Sequence, residues 1–533
     1  MPEIDTSASD SSSEPRNWIN ARTRQAALRA VDATATTPVN VLVIGGGITG
    51  VGVALDAASR GLSVTLVERR DLGSGTSGWS SKLIHGGLRY LANAEIGLAR
   101  ESAMERHHLL TTIAPHIVHP YQTVIPLGDY LSRRDSALVY SGLRLADLLR
   151  RSCRTPSDLL PSPSRISAQE LALLAPGINR AGLRGGLAYW DGQVEDDVRL
   201  VIAVARTAAA HGAGIITRCE ASDVNARSAT LTDTLTGERH TVHADVVINA
   251  TGVWAGEIAE GLTTSPSRGT HLIVRSELLG DPRAIITVPV PGTLGRYVFA
   301  IPQPDGLCYV GLTDEPAPGE DPYAPTVPPE DETFLLATIS VALATPITAS
   351  DVVGRFAGLR PLVSDGNATS TADISRKHLL IDRPGQPLTI TGGKLTTYRK
   401  MAEETVDAAI RRLGRDDACV TKDLPLVGAA DRSTLRRVDA PARLVRRFGT
   451  EAPAVAALAD DDPSLLQPLS ARSPVLGVEV VYGVLAEGAL GVDDFLDRRV
   501  RVGMVPADRE DIRWESTKIV DKTLAGLGTA SAS

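Results

Sequence analysis

Apolar residues are packed most densely along the chain between positions 39 and 68, VNVLVIGGGITGVGVALDAASRGLSVTLVE. Val39 to Ile44 is nearly all apolar over a strand's length, as in a central parallel strand covered on both faces. About Ile48 to Arg60 then reads as a helix ended by Gly61, and Leu62 to Val67 as a second buried strand. Upstream, Asn20 to Val31 predicts a short helix with Asn20 as its cap. Downstream, helices are expected over about Ala94–Ala114, Ser132–Arg151 and Glu330–Leu343. Gly186 to Arg206 predicts a strand and then a helix with acids in its first turn, and Asp245 to Asn249 another apolar strand. From about Thr270 to Asp314, apolar and polar residues alternate between proline and glycine breaks, which predicts antiparallel strands. From about 420 onward, helices separated by prolines and acidic turns predict a separate small domain. The fold class is α/β.

The first βαβ unit carries a chemical signal. Gly45, Gly47 and Gly50 stand at G-x-G-x-x-G spacing directly after the strand, with Gly46 between the first two. They permit a tight turn, close backbone approach to a pyrophosphate, and close packing of the helix on the strand. The helix N-terminus aims N–H groups and its positive dipole end at the phosphates. Glu68 closes the second strand, where a carboxylate accepts hydrogen bonds from an adenosine ribose and repels a 2′-phosphate, arguing against NADP. This unit predicts dinucleotide binding without separating FAD from NAD.

A loop crowded with small residues and hydroxyls follows, DLGSGTSGWSSKLIHGGLRY, residues 71–90. Such a loop forms no core but can wrap a ligand, and its cofactor candidates are Thr76, Ser77, Ser80, Ser81, Lys82, Leu83 and Gly86. The strand Asp245–Asn249 ends in Ala250-Thr251-Gly252, and Gly252 is a further candidate. A second glycine-led helix start, Gly392 to Lys394, makes Gly393, Lys394, Leu395 and Thr396 candidates as well. A nicotinamide enzyme normally needs one such site, whereas a flavin enzyme returns late in the chain to face the isoalloxazine ring with helix N–H groups. The pair of sites favours FAD.

Composition narrows the class. At 533 residues the chain is too long for one core and should form two or three domains. The formal net charge of -8 argues against a general nucleic-acid binder. The four cysteines show no CxxC or Cys/His spacing, so neither a metal site nor a disulfide framework is expected, and a reducing cytoplasmic compartment fits best. No signal-peptide pattern or membrane span is read.

SSKLIHGGLRYL (80–91) and GGKLTTYRK (392–400) resemble the signatures of the FAD-dependent glycerol-3-phosphate dehydrogenases, and VINATGVW, GLRPL and FLDRR agree with that family. The similarity runs from about Val41 to Arg509. It implies a two-domain flavoprotein fold, a Rossmann-like FAD-binding domain interleaved with an antiparallel-sheet substrate domain, plus a helical C-terminal domain. The boundaries expected are 1–36 for a disordered tail and short helix, 37–419 for the oxidoreductase region with substrate parts at roughly 115–185 and 266–375, and 420–533 for the helical domain. The implied reaction oxidises sn-glycerol 3-phosphate to dihydroxyacetone phosphate, with electrons passed to a membrane quinone. The implied substrate residues are Arg89, Tyr90, His271, Arg360, Arg376 and Lys394. Around His271 the chain reads RGTH where a serine is expected before the histidine.

Elementary chemistry agrees with these roles. A phosphate dianion calls for bidentate arginines, here Arg360 and Arg89, with Arg376 in support. A histidine is suited to take the hydroxyl proton, which selects His271, while Lys394 steadies the developing alkoxide or product carbonyl. An oxygen-using oxidase, a related flavin amine oxidase and a non-catalytic flavin sensor are the competing readings. The helix Ser132–Arg151 sets a leucine side (Leu138, Gly142, Leu145, Leu149) against Arg133, Arg144 and Arg151, as in helices that lie on a membrane surface. Peripheral attachment to the inner membrane face is therefore expected, with a homodimer among the assemblies allowed.

Overall fold

The structure is a computed structural model that describes residues 14–87, 95–290, 293, 295–362 and 377–529. Two sheets organise it. In the first, the strands Val39–Ile44, Val64–Val67, Gly214–Ile216, Arg239–Asn249 and Leu388–Gly392 run parallel, and His378–Ile381 adds an antiparallel edge. Val39–Ile44 sits at its centre, and Val41 to Val43 are fully buried, as an apolar run covered on both faces requires. The helix Ile48–Ser59 packs between Asp197–Ala210 and Tyr398–Arg412 on one face. Gly61 ends its last turn at φ 78°. On the other face lies Ala21–Asp32, whose cap Asn20 accepts from the N–H groups of Arg22 and Thr23.

The second sheet is mixed and mainly antiparallel. Its neighbours in order include Ser267–Arg275, Leu307–Gly311, Tyr297–Pro302, Ile285–Pro289, Val118–Pro126 and Gly186–Val194, with Val352–Arg360 paired to Ser267–Arg275. The alternation read over 270–314 thus belongs to a wider sheet, which also takes in Gly186–Val194 and the short strand Leu83–Ile84. The helix Pro329–Ser340 covers its outer face. From 419 onward the described chain has helices and turns and no named strand, with two apolar clusters built on Ala442–Phe448, Gly477–Ala486 and Pro506–Gly526.

The helix expected over Ala94–Ala114 is Ile96–His108 closed by a π turn, Leu109–Ile113. The one expected over Ser132–Arg151 is Arg133–Ser152, capped by Ser132. Its buried side is Ser136, Leu143, Asp147 and Arg150, while Leu138, Leu145 and Leu148 stand 54%, 49% and 59% exposed. Of the predicted stripe, Leu138 and Leu145 therefore face outward and Gly142 is half-buried, whereas Leu149 packs inward on Leu98 and Ala99; Arg150 and Asp147 pair with each other on the inner side at 2.7 Å. Among the described residues, no helix is long and apolar enough to cross a membrane.

Candidate active site

The two sheets face each other across one cavity of about 1120 Å³. At the end of the first strand the wall is backbone. Gly45 sits at φ 113°, and a Cβ there would come within 2.6 Å of the Ala250 carbonyl oxygen. A Cβ at Gly50 would overlap the Gly45 carbonyl oxygen, so the helix can approach its own turn only as glycine. The helix start is completed by Ser77, whose Oγ accepts from Ile48 N–H at 2.9 Å. Glu68 lines the cavity and accepts from Gly46 N–H at 2.6 Å and Arg70 N–H at 2.8 Å. Gly392 and Gly393, at φ 80° and 68°, turn the last strand of the first sheet into the helical turn Leu395–Thr397. A cavity of this volume with two glycine-led N–H cradles and an acid at the end of the second strand fits FAD.

On the opposite wall, His271 comes from the strand Ser267–Arg275. It is 2% exposed, its Nε2 lies 2.8 Å from Ser81 Oγ, and its ring stacks on Phe356 at 4.6 Å between centroids. Burial, with the charges of Arg360 and Lys82 added, pushes its pKa down to about 3, so the ring is held in the neutral form from which a base acts. Arg360 ends the neighbouring strand. Its Nη1 lies 3.3 Å from Ser267 Oγ and 3.2 Å from Asp314 Oδ1, and its Nη2 donates to Thr313 O at 3.2 Å. The guanidinium lies against Gly269, where a Cβ would collide with Nη2. Lys394 lines the same cavity from the first sheet.

Of the predicted cofactor residues, Gly45, Gly47, Glu68, Thr76, Ser77, Ser80, Ser81, Leu83, Gly252, Gly393, Lys394, Leu395 and Thr396 line the cavity. Gly46, Gly50, Lys82 and Gly86 do not line it. Gly46 and Gly50 shape the turn, and Gly86 N–H donates to Asp191. The Lys82 side chain is buried elsewhere and bonds Asp197 at 3.0 Å, because a buried ammonium needs a carboxylate partner. Arg89, Tyr90 and Arg376 lie outside the described residues. Sequence reading missed Asp314 and Trp79, which line the cavity from loops, and Ser267 and Phe356, which lie behind Arg360 and His271: a lone acid, serine or aromatic carries no spacing signal, and only the tertiary fold places them there.

The comparisons with known proteins follow the same division. The model of the FAD dependent oxidoreductase family matches residues 40–397, and that of the C-terminal domain of alpha-glycerophosphate oxidase matches 419–523. Glycerol-3-phosphate dehydrogenase 1 of Mycobacterium tuberculosis is 48% identical over 497 residues, covering 91% of this chain and 96% of its own. The chain belongs to the FAD-dependent glycerol-3-phosphate dehydrogenases. Its cofactor is accordingly FAD. A mitochondrial relative from Arabidopsis thaliana, named glycerol-3-phosphate dehydrogenase, is 34% identical, covering 90% of this chain and 81% of its own. In fold, the chain resembles the glycerol-3-phosphate dehydrogenase of Bacillus halodurans, solved with FAD, at a TM-score of 0.68 and 24% identity over 96% of this chain and 98% of that one.

Proposed function

We propose that the chain oxidises sn-glycerol 3-phosphate to dihydroxyacetone phosphate and passes the electrons to a membrane quinone. The observation that carries the reading is the meeting of His271, Arg360 and Lys394 in one cavity with the glycine cradles. Arg360 holds the phosphate, its guanidinium already aimed by Asp314, Ser267 and the Thr313 carbonyl. His271, neutral and held by Ser81 and Phe356, takes the hydroxyl proton on Nε2. Lys394 stabilises the oxygen that becomes the carbonyl. FAD, held by the glycine cradles, would supply the hydride acceptor for the carbinol carbon. Arg89, Tyr90 and Arg376 are assigned to the same substrate site on the family resemblance alone.

Anaerobic titration of the purified yellow protein with glycerol 3-phosphate tests the reaction. Bleaching of the oxidised flavin bands at one equivalent is expected, and no bleaching would refute it. Repeating turnover with a soluble quinone and with oxygen separates the dehydrogenase from an oxidase, which would reoxidise as fast in air.

What supports a membrane-held acceptor is the exposure of Leu138 and Leu145 from the predicted stripe, with Leu148 beside them, and of Arg133, Arg134, Arg144 and Arg151. The chain docks peripherally on the inner membrane face through this helix. Parent protein should sediment with anionic liposomes at low salt. Changing Arg133, Arg144 and Arg151 to glutamine should weaken binding by about 1 kcal/mol per charge. A parent that stays in the supernatant, or equal binding by both proteins, rules this helix out.

A further inference from the structure

The C-terminal region meets the cofactor loop through buried charge. Arg499, 1% exposed, bonds Asp71 with both terminal nitrogens at 2.5 and 3.0 Å, and its Nε donates to Glu487 O at 2.9 Å. Arg501 donates to the carbonyl of Gly78, and its Nε lies 3.6 Å from Asp196 and 4.0 Å from Asp197. Lys82 reaches the same two acids at 3.7 and 3.0 Å, and Ser80 binds Asp197 with N–H and hydroxyl at 3.0 and 2.8 Å. The guanidinium groups of Arg498 and Arg501 lie 5.2 and 4.8 Å from the ring centroid of Trp79, which lines the cavity. Trp79 is 6.1 Å from Phe356, and Phe356 stacks on His271 with the rings 4° from parallel.

The backbone gives a separate signal. Lys82 and Arg501 are non-glycine residues with left-handed φ, 58° and 62°, and both converge on the Asp196–Asp197 pair. Such conformations persist only where surrounding contacts over-determine them, and they gather near working sites. A domain that merely leaned on its neighbour would use apolar surface and exposed rim charges. Here three arginines of one short stretch, Arg498, Arg499 and Arg501, all land on a loop that walls the cofactor cavity.

We infer that the C-terminal domain is a positioning element for the reaction. Arg499 and Arg501 fix the shape of the loop from Asp71 to Ile84, and Arg501 with Arg498, acting through Trp79 and Phe356, fixes the plane of the His271 ring. This rests on the site assignment proposed above. None of these arginines is a catalytic residue, since none touches the reacting atoms.

The test uses the full-length holoenzyme with Arg501→Gln and Arg501→Lys. Two readouts are needed: FAD release, followed by recovery of free-flavin fluorescence, and anaerobic flavin reduction at saturating glycerol 3-phosphate. For Arg501→Gln, both should change about tenfold or more, faster release and slower reduction, while KM moves by less, as small misplacements of a reacting group do. Arg501→Lys should recover much of each. Should Arg501→Gln fail to fold, Arg498→Met removes the cation over Trp79 while keeping its bulk, and a smaller change in the same direction, about threefold, is expected. Parent-like release and reduction in the folded variants, with only a lowered melting temperature, would overturn the inference and leave these arginines as domain glue. A parent whose flavin is not reduced would instead refute the proposed reaction, while the release measurement still reads the loop.

Discussion

At the parallel sheet the cavity wall is main chain: Gly45, Gly392 and Gly393 hold left-handed turns, and the helix start at Ile48 is closed by Ser77. At the antiparallel sheet the wall is side chain: His271 over Phe356, and Arg360 tethered to Asp314 and Ser267. The difference follows from what each half must recognise. A pyrophosphate common to many cofactors is bound by N–H groups that any sequence supplies once the backbone can come close, so the constraint falls on the absence of Cβ atoms. A particular substrate needs groups of defined charge and pKa at defined places, so the constraint falls on side chains and on what orients them. Substitutions in the first wall should therefore abolish cofactor binding, and those in the second should leave a yellow but impaired protein.

The largest expected effect is at Gly50. Gly50→Val puts a side chain into the Gly45 carbonyl oxygen, and the purified protein should be colourless or unfolded. A variant with its full flavin spectrum would end the main-chain account of that wall. Next comes His271→Asn, expected to stay yellow and slow flavin reduction by about 10²- to 10⁴-fold in single-turnover mixing. Reduction at the parental rate would move the base elsewhere, Lys394 being the first alternative.

Arg360→Ala should cut kcat/KM for glycerol 3-phosphate by about ten- to a hundredfold, the loss of a charge-assisted bond of about 1.5–3 kcal/mol. Oxidation of glycerol, which lacks the phosphate, should hardly change. Equal losses on both substrates would show that Arg360 supports the fold, blurring the contrast between the walls. The smallest effect concerns stability. His271 is buried neutral with its pKa depressed to about 3, so the unfolded chain binds a proton that the folded chain refuses between that value and the usual histidine range. Its stabilisation is complete above about pH 6.5 and is lost as pH falls toward 3, by up to about 1.4 kcal/mol per pH unit. Urea melts at pH 7 and pH 5 should show a steeper acid loss for the parent than for His271→Asn, and identical slopes would mean that the ring is already charged in the folded protein.

By itself the sequence determined whatever depends on local spacing. The apolar run Val39–Ile44, the three glycines and Glu68 specify a strand, a turn and a helix through contacts within one stretch, so the cradle is legible before any tertiary contact exists. The capped helices after Asn20 and Ser132 are legible for the same reason, their caps being hydrogen bonds across three residues. Tertiary structure alone decided which face of Arg133–Ser152 turns outward, because periodicity marks two faces of a helix without saying which is buried. It also decided that Lys82 leaves the cavity for Asp197, that Asp314 aims Arg360, and that Arg499 reaches Asp71 across more than four hundred residues. Those are choices of partner among distant charges, settled by burial: a charge taken out of water must find its counter-ion wherever the fold has placed one.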